Sequence, residues 1–345
     1  MEFARDFIVE FRGRFFSLRR VDALSDFLWL LIGLILLCYG AEWLVRGSKE
    51  ISFKLGISPL IVGLTVVAFG TSAPELLVSL QANLKDPPKG DIALGNIVGS
   101  NICNIALILG VGALIRPIEV HLQIVKREMP VLLVVSTVFI WFLGDGVIAP
   151  REGMILFAGI VVYTILNFRQ AKAEPESATL EEFADEEITT AQEADSKRLL
   201  MDIGLIVIGS AALVFGADRL VFGGSNIAQH FGVSEAVIAL TVVAFGTSLP
   251  ELATSVVAAL RNQGDLIIGN AVGSCVFNIL CVVGLTASIA PLARTPELLN
   301  ADLLVMLALT VTIFPFMWSR RRLSRVEGGI LLLVYLSYVS CLALR

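Results

Sequence analysis

Polar clusters punctuate this chain at intervals, and between them lie long stretches that are apolar all round. Such stretches fall near residues 26–54, 58–85, 90–115, 128–144, 150–169, 199–230, 234–261, 265–291, 297–319 and 325–344. Each approaches or exceeds the roughly 20 apolar residues with which a helix crosses a hydrocarbon core about 30 Å thick. Runs such as "LLIGLILLCYG" and "MPVLLVVSTVFIWFLG" carry no polar stripe at helical spacing, so they predict lipid-embedded helices and not the surface helices of a soluble protein. The expected fold is an all-α membrane protein with ten transmembrane helices.

Two segments depart from that pattern. Residues 1–25 form a tail in which Phe3, Phe7, Phe11 and Phe15 recur at i+4 steps among Arg5, Arg12, Arg14, Arg19 and Arg20. This fits an interfacial amphipathic helix and a frayed end equally well. It lacks the uninterrupted apolar core of a signal peptide. Residues 170–198 carry "AEPESATLEEFADEEITTAQEAD", an acidic, apolar-poor linker that reads as disordered and has no Asp-x-Asp-x-Asp-Gly calcium loop.

The linker divides the chain into two five-helix repeats, residues 26–169 and 199–345. "LTVVAFGTSAPEL" at Leu64 returns as "LTVVAFGTSLPEL" at Leu240, "GAEWLVRG" at Gly40 as "GADRLVFG" at Gly216, and "GNIVGSNICNI" at Gly95 as "GNAVGSCVFNI" at Gly269. The nearly constant offset, 176 residues in the first two matches and 174 in the third, marks an internal duplication. An odd number of crossings per repeat sends the second copy into the bilayer from the opposite side, so the repeats are inverted, the build of secondary transporters with midplane sites between interrupted helices. Lys126, Arg127, Arg169, Arg198, Arg261 and Arg320 to Arg322 share the linker's face, which is therefore expected to be cytoplasmic.

Composition narrows the chemistry. Hydrophobic residues make up 56% of the chain and charged residues 17%, and the net charge of −5 arises mainly in the linker, so nothing points to nucleic acid or to an obligate protein partner. Cys38, Cys103, Cys275, Cys281 and Cys341 all sit in apolar runs without a CxxC pair, which predicts neither a disulfide framework nor a thiolate metal site.

Inside the second and seventh helices the duplicated motif gathers oxygen. At about 100° per residue, Ala68, Thr71, Ser72, Glu75 and Ser79 fall on one face, as do Ala244, Thr247, Ser248, Glu251 and Ser255. Pro74 and Pro250 interrupt both helices and release backbone carbonyls, a break that lipid tolerates only where a polar cavity satisfies the freed groups. An ionised carboxylate at mid-bilayer costs on the order of 3 kcal/mol, and no Lys, Arg or His lies near Glu75 or Glu251 in these helices to compensate them. A bound cation or a proton must do so. Hard oxygen donors favour Ca2+ or Na+ over zinc, copper or magnesium. In the next helices, Asn96, Ser100 and Asn104 share a face, as do Asn270, Ser274 and Asn278, while Gly95, Gly99, Gly269 and Gly273 leave room for close helix packing.

"GTSAPE" with "GSNICN", and "GTSLPE" with "GSCVFN", resemble the two alpha-repeats of the sodium/calcium exchangers in the calcium/cation antiporter superfamily, from Asp26 onward. The resemblance implies a prokaryotic-type exchanger that needs no cofactor beyond its transported ions, in a plasma membrane. By it, Glu75 and Glu251 are the central carboxylates of a calcium site shared with sodium, Thr71 and Thr247 add calcium ligands, and Asn104 and Asn278 line the middle of the cavity. Ala68, Ser72 and Ser100 would form one flanking sodium site and Ala244, Ser248 and Ser274 its mate. Asn278 stands where the potassium-dependent branch carries Asp, which disfavours potassium coupling, and Cys275 replaces a more usual Asn. The implied activity is exchange of Na+ for Ca2+, an activity of a transporter and not of an enzyme. A proton/calcium antiporter is the nearest alternative, and a cation channel is the alternative of another class. The long first and sixth helices, with their spaced glycines, are expected to slide across the remainder.

Overall fold

Backbone groups in lipid have no water to bond, so apolar runs must satisfy them internally as helices. The computed structural model describes residues 23–85, 88–171, 196–230, 244–294 and 296–343. In chain order the helices are α1 (Ala23–Leu55), α2 (Pro59–Thr71), α3 (Ala73–Asn83), α4 (Gly90–Ile115), α5 (Ile124–Asp145) and α6 (Pro150–Ala171). The second half holds α7 (Ser196–His230), α8 (Ala244–Thr247), α9 (Leu249–Leu260), α10 (Gly264–Ile289), α11 (Pro296–Arg320) and α12 (Arg325–Ala343). Among the described residues eight helices are long and apolar enough to cross a membrane, and α2 with α3 makes a ninth span bent by 43°. Of the expected span at 234–261, α8 and α9 form the latter part, and residues 231–243 lie outside the described residues. So do residues 1–22 and 172–195, where most of the expected tail and linker fall.

The first and sixth expected helices, α1 and α7, pack on each other through glycines. A Cβ on Gly33 would stand 2.7 Å from the Gly216 carbonyl, and one on Gly40 would stand 2.9 Å from that of Gly209. A Cβ on Gly47 would meet the Asp202 carbonyl at 2.8 Å, and one on Gly223 that of Asp26 at 2.5 Å. Partners descend along α7 as they ascend along α1, so the helices are antiparallel. Because Gly40 and Gly216 are equivalent in the two repeats, as are Gly33 and Gly209, the contact maps onto itself when the repeats are exchanged. This is the geometry of inverted repeats about an axis in the membrane plane.

Two short antiparallel pairings carry the same symmetry. β1 (Ile118–Glu119) pairs with β4 (Arg322–Leu323), and β2 (Val147–Ile148) pairs with β3 (Leu292–Ala293). β1 follows α4 as β3 follows α10, and β2 precedes α6 as β4 precedes α12. Six crossings separate β1 from β4 and four separate β2 from β3, if α8 and α9 complete a span. Even counts put paired strands on the same face; without that span, hydrogen-bonded partners would sit on opposite sides of the membrane.

At the centre lie α4 and α10, whose apolar cores are 83% and 100% buried, against 33% for α1 and 11% for α12. One boundary differs from the sequence expectation. α5 starts at Ile124 and not near 128, because Glu128 is buried inside the bundle, where it accepts a hydrogen bond from Tyr163 Oη at 2.8 Å. The second repeat repeats the device, with Tyr338 Oη donating to Asp302 at 3.2 Å. A charge that looks like a helix end in sequence is here an internal, hydrogen-bonded one.

Candidate cation site

Both motif helices break at serine. Ser72 (φ −85°, ψ 9°) ends α2, and Ser248 (φ −89°, ψ 5°) ends α8, with Pro74 and Pro250 in the first turn of the helices that follow. Proline suits that position because a first-turn amide has no intrahelical partner to lose. Each break sets its serine and the glutamate one turn later at the start of a new helix. Glu75 and Glu251 are both fully buried there.

The two breaks face each other and are cross-braced. Ser72 Oγ donates to Glu251 Oε1 at 3.0 Å, and Ser248 Oγ donates to Glu75 Oε1 at 3.4 Å. From α4, Ser100 Oγ also donates to Glu75 Oε1, at 3.2 Å, and it accepts from Ser248 Oγ at 3.2 Å. Each repeat thus holds the carboxylate of the other. The expected residues Ser72, Glu75, Ser100, Ser248 and Glu251 are brought into one cluster.

The threonines are clamped the same way by asparagines. Asn96 Nδ2 donates to the Glu75 carbonyl at 3.2 Å and to Ser79 Oγ at 3.1 Å, while its Oδ1 accepts from Thr247 Oγ1 at 3.2 Å. In mirror image, Asn270 Nδ2 donates to the Glu251 carbonyl at 3.5 Å, and its Oδ1 accepts from Thr71 Oγ1 at 3.0 Å. Ser274 joins through Thr71, with the hydroxyl oxygens 3.5 Å apart. The backbone carbonyl of Ala68 lies in the same turn and accepts from the Ser72 amide at 3.0 Å and from Thr71 Oγ1 at 3.4 Å. Ala244 opens α8 at the edge of the described residues.

One turn beyond Ser100 and Ser274, both site-lining helices widen into a π-turn, Cys103–Ile108 in α4 and Asn278–Val283 in α10. Such turns recur at functional sites because the extra residue re-aims side chains. Asn104 sits on the first and Asn278 on the second. Asn278 Nδ2 donates to Asn101 Oδ1 at 3.1 Å. Asn101, absent from the sequence-derived set, also crosses between repeats, donating to the Cys275 carbonyl at 3.5 Å and accepting from Cys275 Sγ at 3.8 Å. Cys275 is its repeat counterpart, so the substitution of Cys for Asn leaves a mutual contact in place. The spacing of Asn101, one residue past Ser100, points it off the shared face and hides it from a face-based reading.

After these bonds are made, the buried carboxylate and amide oxygens Glu75 Oε2, Glu251 Oε2, Asn104 Oδ1 and Asn278 Oδ1 of this cluster have no hydrogen-bond partner among the described residues. Neither glutamate forms an ion pair among the described residues. An unpartnered buried carboxylate oxygen is expensive, and two with no protein cation beside them constitute a demand for positive charge. The donors are carboxylate, amide and hydroxyl oxygens, and a serine that donates one hydrogen still presents lone pairs to a cation. This set fits a hard cation that takes six to eight oxygens. The close packing foreseen for the glycines holds on α10, where Cβ atoms on Gly269 and Gly273 would each meet a carbonyl of α2 at 2.7 Å, from Leu60 and Leu64. The counterpart partners of Gly95 and Gly99 fall within residues 231–243.

Comparison with known proteins bears on the same elements. The sodium/calcium exchanger protein family matches residues 25–169 and 201–344, one match to each repeat. The chain is 39% identical over 315 residues to CaxA of Alkalimonas amylolytica, covering 90% of this chain and 96% of that one. It is 31% identical over 342 residues to the sodium/calcium exchanger MaX1 of Methanosarcina acetivorans, covering 91% and 97%. A solved structure of the sodium-calcium exchanger NCX_Mj, soaked with 10 mM Na+ and zero Ca2+, superposes with a TM-score of 0.79 at 30% identity over 92% of this chain and 99% of that one. With both repeats matched and the fold shared along almost the whole length, this chain belongs to the sodium/calcium exchanger protein family and is a multi-pass membrane antiporter of calcium and other cations.

Proposed function

We propose that the chain exchanges Na+ for Ca2+ by alternating access to the cluster around Glu75 and Glu251. The observation that carries this reading is the pair of buried carboxylate oxygens, Glu75 Oε2 and Glu251 Oε2, left without a hydrogen-bond partner or a protein cation. One Ca2+ would neutralise both glutamates and draw further oxygens from Thr71, Thr247, Asn104 and Asn278. Sodium ions would load the flanking positions, one formed by Ser72, Ser100 and the Ala68 carbonyl, the other by Ser248, Ser274 and the Ala244 carbonyl. Both cargoes need the glutamates, so filling with one displaces the other.

Coupling follows from electrostatics. An empty site carries two uncompensated charges that a low-dielectric barrier opposes, whereas a filled site is neutral enough to reorient. Antiport requires this, because a site that crossed empty would leak. The serines support sodium over protons, since a protonated carboxyl needs no ring of oxygen donors. The charge bias of Arg261, Arg320 and their neighbours supports a cytoplasmic linker face, and an outward-directed calcium flux would then draw on the sodium gradient.

Calcium flux in proteoliposomes, with sodium and proton gradients imposed separately, tests the assignment. The expected result is flux that follows the sodium gradient and is absent in Glu75→Gln and Glu251→Gln. Flux that follows protons and ignores sodium would reject sodium coupling.

A further inference from the structure

Away from the carboxylate site the duplication sets out a second group of charges, and the two repeats use them differently. Glu42 on α1 and Asp218 on α7 are equivalent, in "GAEWLVRG" and "GADRLVFG". Lys85 just beyond α3 and Arg261 just beyond α9 are equivalent as well, at the same offset of 176 residues. Symmetry therefore offers two matching pairs, Glu42 with Arg261 and Asp218 with Lys85.

Only the first pair is made. Arg261 holds Glu42 by two prongs, Nε to Oε2 at 3.1 Å and Nη2 to Oε1. Asp218 is instead bound by its neighbour Arg219, and Lys85 forms no ion pair among the described residues. Arg219 is itself held over three aromatic rings, 5.1 Å from Trp29, 5.2 Å from Phe215 and 5.4 Å from Phe222. Its counterpart in the first repeat is Trp43, so Glu42 has no such competitor beside it.

Helix packing shows the same asymmetry. α1 lies along α9, whereas their counterparts α7 and α3 make no comparable contact. The pairs also belong to opposite faces. The loop after α9 leads into Gly264, which lies against Ile118 of β1, and the loop after α3 leads into Gly90, which lies against Ala293 of β3.

An inverted-repeat transporter reaches its opposite-facing state when its two repeats exchange conformations. We infer that Glu42–Arg261 and Asp218–Lys85 are alternating charge latches on opposite faces, with one of the two closed in each state. In the structure described here the first holds α1 against α9 on the β1 and β4 face. In the other state it opens, Asp218 exchanges Arg219 for Lys85, and α7 closes onto α3 at the β2 and β3 face. Arg219 keeps its aromatic platform throughout, so the exchange strands no cation. This inference rests on the alternating-access reading above and adds the charges that bias its two ends.

The test uses the full chain in proteoliposomes, with the exposed Cys38 and Cys341 replaced by alanine. Glu42→Cys/Arg261→Cys and Lys85→Cys/Asp218→Cys are each treated with a bis-methanethiosulfonate reagent about as long as the ion pair. The first double variant is expected to crosslink at rest, the second only during turnover, and either crosslink should stop calcium flux until a reductant is added. Absence of the second crosslink during turnover, or undiminished flux with the first in place, overturns the latch. Crosslinking reads the motion whichever ion drives it, so flux that follows protons in the chain before crosslinking, with each double variant crosslinking as expected, would reject the sodium assignment and keep the latch. With native side chains elsewhere, Glu42→Arg should slow exchange about three- to fivefold, the worth of one partly exposed ion pair. Adding Arg261→Glu should restore the rate, and failure to restore it counts against the latch even where the cysteine variants express poorly.

Discussion

Glu75 and Glu251 occupy equivalent places in nearly identical sequence, yet they are held differently. Glu75 accepts from two serines, Ser100 and Ser248, which are bonded to each other. Glu251 accepts at 3.0 Å from Ser72, with the hydroxyls of Thr71 and Ser274 also beside it. The asparagine layer diverges too, with Asn278 tied to Asn101 while neither polar atom of Asn104 has a hydrogen-bond partner. A duplicated motif dictates which donors are available, and the conformation of the bundle decides which are used. Inequality between chemically matched halves is what a single facing state of an inverted-repeat transporter should display.

The harshest way to break the comparison is to remove either charge. Glu75→Gln and Glu251→Gln should each lower calcium exchange by at least about a hundredfold, because a divalent cargo then faces an unbalanced buried site. Vesicle uptake measures this, and a large loss in only one variant would mean the halves are not functionally equivalent. Gly40→Leu should come next, since its side chain would enter the α7 backbone. A loss of about 1–3 kcal/mol is expected by thermal unfolding in detergent, with Gly216→Leu matching it if the axis between α1 and α7 is a true twofold.

Subtler variants sharpen the comparison. Ser248→Ala removes donors to both Glu75 and Ser100, while Ser72→Ala removes one to Glu251. The first should raise the sodium concentration for half-maximal exchange about tenfold and the second about threefold, by the worth of hydrogen bonds to charged groups. Equal shifts would assign the observed asymmetry to one resting conformation with no trace in the transport cycle. The smallest effect is expected from Asn101→Ala, which frees the Asn278 amide but leaves both carboxylates braced, so it should change calcium affinity by less than the serine variants.

Much of this arrangement can be read along the chain. Helix breaks at Pro74 and Pro250, a polar face bearing Glu75 and Glu251, and inversion by odd crossing number all follow from local spacing and counting. Partners across the interface do not. Periodicity reveals that Asn96, Ser100 and Asn104 share a face of α4, but not that Asn96 clamps Thr247 from the opposite repeat or that Asn270 clamps Thr71. The π-turns under Asn104 and Asn278 are equally silent in sequence, because they depend on packing against neighbouring helices and not on residue preference. Glu128 misled the boundary of α5 for a related reason: its match, Tyr163, lies 35 residues away on α6.

Central to the account is that the cargo supplies the charge these two glutamates lack. Calorimetric titration of Ca2+ into the purified full-length chain, in sodium-free detergent solution, measures that directly. One Ca2+ should bind per chain, binding should weaken as Na+ is added, and Glu75→Gln/Glu251→Gln should abolish it. Calcium binding of undiminished affinity in the doubly neutralised chain would contradict the account.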